Sequence, residues 1–260
     1  MLSAFVEAVR FLTLIPLPFV PAKTDEDYER VVARATLWFP MVGLLIGGLG
    51  CLAGWMAEQF WGAAVRTVLI VVALGLITSG LHLDGLSDTF DGLMSWRPRE
   101  RKLEIMKDSR IGAMGALALI AVLALKMAFI AAAGEGWPRA VALSTTLGRW
   151  ADVYGIFFFP PAREGGLGRR FQSFARRRDF AFATAHAIAI LLVVSSIGVG
   201  PQDWPLAWLR AGIAMGLVLL VTHLLAMRWT HVLGGLTGDT YGALCEIGEV
   251  VALAALSARP

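Results

Sequence analysis

Residues 112–133 read GAMGALALIAVLALKMAFIAAA, a nearly continuous apolar run of the length that crosses a lipid bilayer as a helix. Six further apolar runs lie at 36–57, 65–83, 138–160, 180–199, 205–227 and 241–258. Hydrophobic residues make up 57% of the 260 residues and charged residues only 17%, whereas about a quarter of a soluble domain is charged. We therefore predict an all-α, polytopic transmembrane helical bundle with about six to seven spans. Soluble, fibrous and disordered classes are excluded.

The N-terminal stretch contains Glu7 and Arg10, which interrupt the apolar core that a signal peptide needs. We expect a retained amphipathic helix that lies in the membrane interface and is ended by Pro16 and Pro18. No internal repeat or long linker is visible in the sequence, so a single domain over 1–260 is predicted. The net charge of +3 is too small to indicate a nucleic-acid partner.

Lysine and arginine are distributed unevenly among the connections. The segments 1–35, 92–111 and 162–179 carry four, six and six of these residues. The other connections, near 58–66, 133–139 and 200–205, carry one, one and no lysine or arginine. The positive-inside rule therefore places the N-terminus and the three basic segments on the cytoplasmic face of the cytoplasmic (inner) membrane.

Three aspartates stand at the cytoplasmic end of the second run, in the sequence GLHLDGLSDTFDG over residues 80–92. Asp84, Asp88 and Asp91 are spaced i, i+4 and i+7, which places them on one helix face. Like charges this close repel one another unless a cation lies between them, and oxygen ligands favour Mg²⁺ or Mn²⁺ over zinc. The alternative is a solvated helix end with ordinary surface carboxylates. We interpret the row as a metal site.

A basic block follows, RKLEIMKDSRIG over residues 101–112. Its cations are expected to hold a diphosphate, and Asp108 between them is expected to be a fourth metal ligand or a proton acceptor. The alternative is a cytoplasmic loop that touches anionic lipid. Arg149, within a span, is expected to face the bundle and to bind a phosphate or a carboxylate. The phosphate-binding candidates are Lys107, Arg110, Arg101 and Arg149.

A glycine-rich turn precedes the last run, in the sequence GGLTGDTYGA over residues 234–243. Glycine lets backbone N–H groups approach a ligand, and Thr237 or Thr240 is expected to cap the helix that follows. Asp239 and Glu246 would be costly in hydrocarbon, so we expect them to face a polar cavity. The alternative is that the glycines only allow tight packing.

These blocks together resemble the motifs of the cobalamin synthase family, the adenosylcobinamide-GDP ribazoletransferases. The aspartate motif at 80–92 and the block at 103–112 resemble the family's pattern and spacing. The glycine motifs at 165–168 and 234–243 follow in the same order, and the segment 13–18 is similar to the family's N-terminus. The resemblance covers nearly the whole chain.

The resemblance implies a Mg²⁺-dependent integral membrane transferase of vitamin B12 (cobalamin) biosynthesis. Such an enzyme joins adenosylcobinamide-GDP to α-ribazole or α-ribazole 5′-phosphate and forms adenosylcobalamin or its 5′-phosphate, with GMP as the second product. The aspartates would hold the metal, and Asp91 or Asp108 would accept the proton of the attacking hydroxyl. Thr237, Thr240, Asp239 and Glu246 would shape the nucleotide or acceptor pocket.

Two other classes of membrane protein, the CDP-alcohol phosphotransferases and the transporters, share features with this sequence. Residues 88–92 begin like the signature of CDP-alcohol phosphotransferases, but Ser95 and Trp96 stand where that signature needs alanine and arginine. A non-enzymatic transporter would distribute ionisable groups through the bilayer depth, whereas here they gather at one face. The sequence leaves open whether the acceptor is phosphorylated, and whether the chain forms a homo-oligomer or a complex with other enzymes of the pathway.

Overall fold

The computed structural model describes residues 1–19, 22, 24–163, 165–174 and 176–258. Within these ranges the chain forms eleven α-helices and no β-strand, which confirms the predicted all-α class. The helices are α1 (Leu2–Leu12), α2 (Asp25–Ala35), α3 (Phe39–Ile77), α4 (Leu81–Leu93), α5 (Arg99–Ile105), α6 (Ala113–Ala132), α7 (Trp137–Phe158), α8 (Leu167–Ser173), α9 (Arg177–Ser196), α10 (Trp204–Leu233) and α11 (Gly238–Ser257).

Five helical segments of the described chain are long and apolar enough to cross a membrane. They are Asp25–Ile77, Ala113–Ala132, Arg177–Ser196, Pro201–Leu233 and Gly238–Ser257. Large apolar side chains on these segments are exposed, among them Ile120, Val193 and Leu220. Exposed aliphatic surface of this kind is stable in lipid and not in water. The predicted polytopic helical membrane bundle is confirmed.

The central helix of the bundle is α7, which covers most of the predicted run 138–160. It packs against α3, α6, α9, α10 and α11, and every residue from Ala140 to Val153 is buried. Arg149 and Asp152 lower its hydropathy, so it is not among the five apolar segments. Because α7 is surrounded by other helices, its polar side chains face protein rather than lipid.

The predicted runs 36–57 and 65–83 form two helical arms of α3 that fold back on each other. The chain reverses direction at Gly62, where φ is 77° and ψ is −174°, so that Gly50 lies against Leu74 and Gly54 lies against Ile70. Glycine reaches this φ region without the clash that a Cβ would cause. After Ile77 a left-handed Gly80 (φ 68°) separates α3 from α4. The end of the second run therefore belongs to α4.

The predicted N-terminal helix is present as α1, and it ends before the two prolines. Its last residue is Leu12, and the extended Thr13 follows and donates a side-chain hydrogen bond to the Val9 carbonyl oxygen (2.7 Å). One face of α1, which includes Ala8 and Val9, is buried in the apolar core of the bundle. Its position in the membrane interface stays a prediction.

Two loops are tied together where α7 ends and α11 begins. The Leu236 N–H donates to the Pro160 carbonyl oxygen, and the Ala162 N–H donates to the Leu236 carbonyl oxygen, both at 2.8 Å. The Arg99 side chain joins α5 to the same place by donating to the carbonyl oxygens of Leu233 (2.6 Å) and Ala162 (3.2 Å). These bonds fix the wall of the cavity described next.

Candidate active site

A cavity of about 280 Å³ lies where α4 and α11 begin. The loop after α7 and three phenylalanines from α1, α3 and α8 complete its wall. The charged and polar side chains that line it are His82, Asp84, Asp152, Arg163, Thr237, Asp239 and Tyr241. The cavity therefore combines a polar surface with an aromatic one, as small-molecule sites do.

Helices α4 and α11 approach each other closely at a glycine. A Cβ built on Gly85 would lie 2.7 Å from the Asp239 carbonyl oxygen and 3.0 Å from the Asp239 Cα. Only glycine allows this approach, since the clashing atoms are backbone atoms that cannot rotate away. The contact brings Asp84 and Asp239, far apart in the sequence, to the same cavity.

Asp88 lies one turn beyond Asp84 on α4 and is half-buried. Burial, followed by the negative charges of Asp84, Asp239, Asp91 and Asp108, raises its pKa from 3.8 to about 7. The four aspartates predicted as metal ligands are therefore close enough to interact electrostatically, and Asp239 joins them. A carboxylate surrounded by other carboxylates is the charge distribution expected at a cation-binding position.

These aspartates are spaced more widely than ligands that enclose one ion. Among the residues that the structure describes, the group whose ligand-type atoms all lie within 4.8 Å of one another is His82, Asp152 and Cys245. That group already has a positive neighbour, because Arg149 Nη2 lies 3.4 Å from His82 Nδ1. A neighbouring guanidinium disfavours a cation there.

The carboxylate of Asp91 connects α4 to the start of α6. Its Oδ2 accepts a hydrogen bond from the Gly112 N–H (2.7 Å), and its Oδ1 accepts one from the Gly115 N–H (2.8 Å). These two donors occupy one lone pair on each oxygen. Asp91 therefore has a structural role in addition to the metal and proton-acceptor roles predicted for it.

Asp108 forms an ion pair with Arg110 in the loop that precedes α6. Arg110 Nη2 lies 2.6 Å from Asp108 Oδ2, and Arg110 Nε lies 3.0 Å from Oδ1. The side-chain hydrogen bond from Arg110, followed by one from the Arg110 backbone, lowers the pKa of Asp108 to about 2. A carboxylate with so low a pKa accepts a proton poorly at neutral pH.

The other basic candidates on the α5 side are exposed. Lys107 and Arg110 project into solvent, and Arg101 forms an exposed ion pair with Glu104 at 2.6 Å. None of these three cations is among the described residues that line the cavity. Arg110 and Arg101 act electrostatically on Asp108, and Lys107 adjoins Asp108 in the sequence.

Arg149 and Glu246 belong to a buried charge network inside the bundle. Arg149 pairs with Glu249, and Lys126 Nζ lies 2.5 Å from Glu246 Oε2 and 2.6 Å from Glu249 Oε2. All four side chains are buried. The last helix therefore faces the bundle interior with its glutamates. The carboxylate partner of Arg149 is Glu249, and neither Arg149 nor Glu246 lines the cavity among the described residues.

Thr237 and Thr240 cap α11 reciprocally, as their positions predicted. The Thr240 N–H donates to Thr237 Oγ1 (3.2 Å), and the Thr237 N–H donates to Thr240 Oγ1 (2.7 Å). The Thr237 hydroxyl also donates to Asp239 Oδ2 (3.2 Å). The cap therefore orients the Asp239 carboxylate at the cavity.

Arg163, Asp152 and Tyr241 line the cavity and were not singled out from the sequence. Arg163 is one of six cations in a basic segment, and nothing in the sequence distinguishes it from the others. Asp152 carries a signal that could have been used, because an aspartate inside a span is costly unless it has a partner or a function. Tyr241 lies in the predicted glycine-rich block, but no role was given to it.

The sequence of the chain is similar to those of known proteins. The family described as cobalamin-5-phosphate synthase matches residues 4–257. A protein of Roseiflexus sp. (strain RS-1) is 57% identical over 251 residues, which cover 96% of this chain and 88% of that protein. A protein of Herpetosiphon aurantiacus is 47% identical, with 99% and 97% covered. One of Klebsiella pneumoniae is 36% identical, with 98% and 100% covered.

All three relatives are named adenosylcobinamide-GDP ribazoletransferase. No solved structure matches this chain. The family match extends over α1 to α11 and includes the aspartates of α4, the α11 cap and the loops that form the cavity. The chain therefore belongs to the cobalamin-5-phosphate synthase family of membrane enzymes.

Proposed function

We propose that the chain transfers the adenosylcobinamide phosphate of adenosylcobinamide-GDP to a hydroxyl group of α-ribazole or α-ribazole 5′-phosphate. GMP leaves, and the product is adenosylcobalamin or its 5′-phosphate, in a late step of the assembly of the vitamin B12 nucleotide loop. The relatives' names supply the donor and the class of reaction. The structural observation that carries the proposal is the group of carboxylates around Asp88, beside a cavity large enough for part of a substrate.

Mg²⁺ is the proposed cofactor, and Mn²⁺ is a chemically similar substitute. Asp84, Asp88, Asp91 and Asp108 would hold it, and Asp239 adds a fifth carboxylate. Their wide spacing fits Mg²⁺, which keeps several waters and binds one or two carboxylates together with substrate phosphate oxygens. When bound, Mg²⁺ would neutralise negative charge on the diphosphate.

The cations of the chain would bind the phosphate oxygens that remain. Lys107 and Arg110 are exposed on either side of Asp108 in the sequence, and their long side chains can turn toward a substrate. Arg149 is already bound to Glu249, so we assign phosphate binding to the exposed cations instead. Arg101 is a further candidate once it leaves Glu104. Positioning and charge stabilisation of this kind supply most of the catalysis in phosphoryl transfer.

The attacking hydroxyl group also loses its proton in this reaction. Arg110 lowers the pKa of Asp108 to about 2, so Asp108 is a weak proton acceptor. Both oxygens of Asp91 already accept hydrogen bonds from backbone N–H groups. Because the phosphoryl-transfer transition state is loose, early proton removal adds little to the rate. We therefore assign Asp91 and Asp108 first to charge and position.

The test is GMP release by the purified chain in nanodiscs, given adenosylcobinamide-GDP, α-ribazole 5′-phosphate and Mg²⁺. We expect release to require both substrates, to stop with EDTA, and to fall at least about 100-fold in Asp84→Asn and Asp88→Asn. Asp203→Asn is the matched control, because Asp203 is an exposed carboxylate in the turn before α10. Absence of release from the folded wild type would refute the reaction. Release that persists in both variants would refute the metal site.

The active-site face is proposed to be cytoplasmic, in the cytoplasmic membrane. The support is the alternation of basic and nearly uncharged connections, with the α4–α6 connection among the basic ones. A cysteine placed at Ser109 should react with a membrane-impermeant thiol reagent only in inside-out vesicles. A cysteine at Gln202, in an uncharged connection, should react only in intact cells. The reverse pattern would refute the orientation.

A further inference from the structure

We propose that the cavity of about 280 Å³ binds a 5′-mononucleotide. In this assignment Arg163 binds the phosphate, Asp152 and Tyr241 bind ribose hydroxyls, and three phenylalanines contact the base. The inference rests on the proposed function, in which two molecules carry this chemistry. One is the guanylate part of the donor, and the other is the phosphorylated acceptor.

Two polar atoms of the cavity lining lack a partner within the described chain. They are Asp152 Oδ1 and Tyr241 Oη, and their residues are only 2% and 4% exposed. The other oxygen of Asp152, Oδ2, lies 3.4 Å from His82 Nε2, so Oδ1 is the atom left for a ligand. Buried polar atoms are almost always hydrogen-bonded. Both residues line the same cavity, so we assign hydroxyl groups of a ligand in that cavity as the partners of these two atoms.

Arg163 supplies the positive charge. It is the one lysine or arginine among the described residues that line the cavity. Its Nη2 donates to the Leu103 carbonyl oxygen at 2.8 Å, which holds the side chain in place. Its buried Nε has no hydrogen-bond partner among the described residues. A planar guanidinium with unused donors is suited to phosphate oxygens.

The aromatic part of the lining is built from Phe11, Phe39 and Phe171. The ring of Phe171 meets Phe11 at a centroid distance of 5.4 Å and Phe39 at 5.7 Å, both edge to face. These contacts hold the rings rigidly against one another. A rigid aromatic surface is suited to stacking or edge contact with a planar base and does not require a particular base.

The size of the cavity restricts what can enter it. Its volume of about 280 Å³ lies just below the range of about 300–1,000 Å³ that drug-sized ligands occupy. A corrinoid macrocycle with its adenosyl ligand is much larger than such ligands, so it would remain outside. A lipid tail would leave Asp152 Oδ1, Tyr241 Oη and Arg163 Nε without hydrogen-bond partners. A single nucleotide satisfies the size, the charge and the hydrogen-bonding groups together.

The test is calorimetric titration of the full chain in nanodiscs with Mg²⁺, using GMP, α-ribazole 5′-phosphate and unphosphorylated α-ribazole as separate probes. For the nucleotide that occupies the cavity, Tyr241→Phe should weaken binding about three- to tenfold. Arg163→Met should weaken it about 10- to 100-fold. If the acceptor is the occupant, Arg163→Met should leave the affinity for unphosphorylated α-ribazole unchanged. The probe whose affinity falls in Tyr241→Phe and Arg163→Met is the nucleotide that occupies the cavity.

The matched controls are Tyr154→Phe, whose hydroxyl contacts His223, and Arg30→Met, whose guanidinium contacts Glu26. Both should leave every affinity unchanged. Asp152→Asn is a third variant, and it is compared only if its melting temperature matches the wild type, because Asp152 is buried beside His82. The inference is overturned if neither nucleotide binds, or if both bind equally well to Tyr241→Phe, Arg163→Met and the wild type. GMP release by the same preparation reports separately on the proposed function.

Discussion

Replacement of Lys126 by methionine tests whether the buried charge network holds the bundle together. Lys126 is buried in α6 and contacts Glu246 at 2.5 Å and Glu249 at 2.6 Å, both on α11. Methionine keeps an unbranched apolar side chain and removes the charge. After the substitution Glu249 still has Arg149, whereas Glu246 loses the one ion-pair partner that it has among the described residues.

One uncompensated buried carboxylate sets the size of the effect. Breaking a buried ion pair from one side costs about 3–5 kcal/mol. Because Arg149 still neutralises Glu249, we expect the lower figure, about 3 kcal/mol. At about 2–4 °C per kcal/mol for a chain of this size, the melting temperature should fall by about 6–12 °C. The double variant Lys126→Met with Glu246→Gln leaves no unpaired charge and should recover most of the loss.

The assay is thermal unfolding in detergent, followed by intrinsic tryptophan fluorescence. Arg30→Met is the matched control, because Arg30 and Glu26 also lie 2.5 Å apart but their side chains are 53% and 63% exposed. An exposed pair contributes about 0–1 kcal/mol. The reasoning is refuted if Lys126→Met melts no lower than Arg30→Met, or if the double variant melts below the single one.

Four further predictions concern the site. Gly85→Ala should lower GMP release about 100-fold, because the alanine Cβ would push Asp239 away. Gly212→Ala is the control, and it should leave the activity unchanged because its Cβ would meet no atom within 4 Å. The pKa of Asp88 is raised from 3.8 to about 7, so protons compete with Mg²⁺ for this carboxylate below about pH 7. Titrations with Mg²⁺ should therefore show weaker binding at about pH 6 than at about pH 8. Without metal, the same raised pKa should make thermal stability decrease as the pH rises from about 4 to about 7, and stay level above about pH 7. An increase in stability over that pH interval would contradict the assignment. Thr237→Val should cost about 1 kcal/mol by removing the α11 cap, measured by thermal unfolding.

The sequence was sufficient to predict the helices, because hydrophobic periodicity and run length report directly on membrane helices. The seven predicted runs all contain helix, and the aspartate spacing on α4 follows from helix geometry alone. The tightness of the reversal within α3 was less accessible. Gly62 lies in the predicted connection near 58–66, and no local pattern shows that a single glycine is enough to reverse the chain there.

The cavity required information that local sequence does not contain. Asp84 and Asp239 meet only because α4 and α11 touch at Gly85, and a glycine in an apolar helix has many other uses. Lys126 and Arg149 both lie in apolar runs, and each had several carboxylates as potential partners. Their pairing with Glu246 and Glu249 is decided by the packing of α6, α7 and α11 rather than by spacing along the chain.

The Lys126–Glu246 pair also has a consequence for biogenesis. The two residues are 120 positions apart in the chain, so ribosomes deliver the cation to the membrane long before its carboxylate. A lysine at the centre of an inserting helix costs about 2.5–3.5 kcal/mol. Until α11 arrives, α6 therefore carries an unneutralised charge that disfavours its stable insertion. A chain truncated before α11 would retain this defect permanently and present a recognisable target to membrane quality-control proteases.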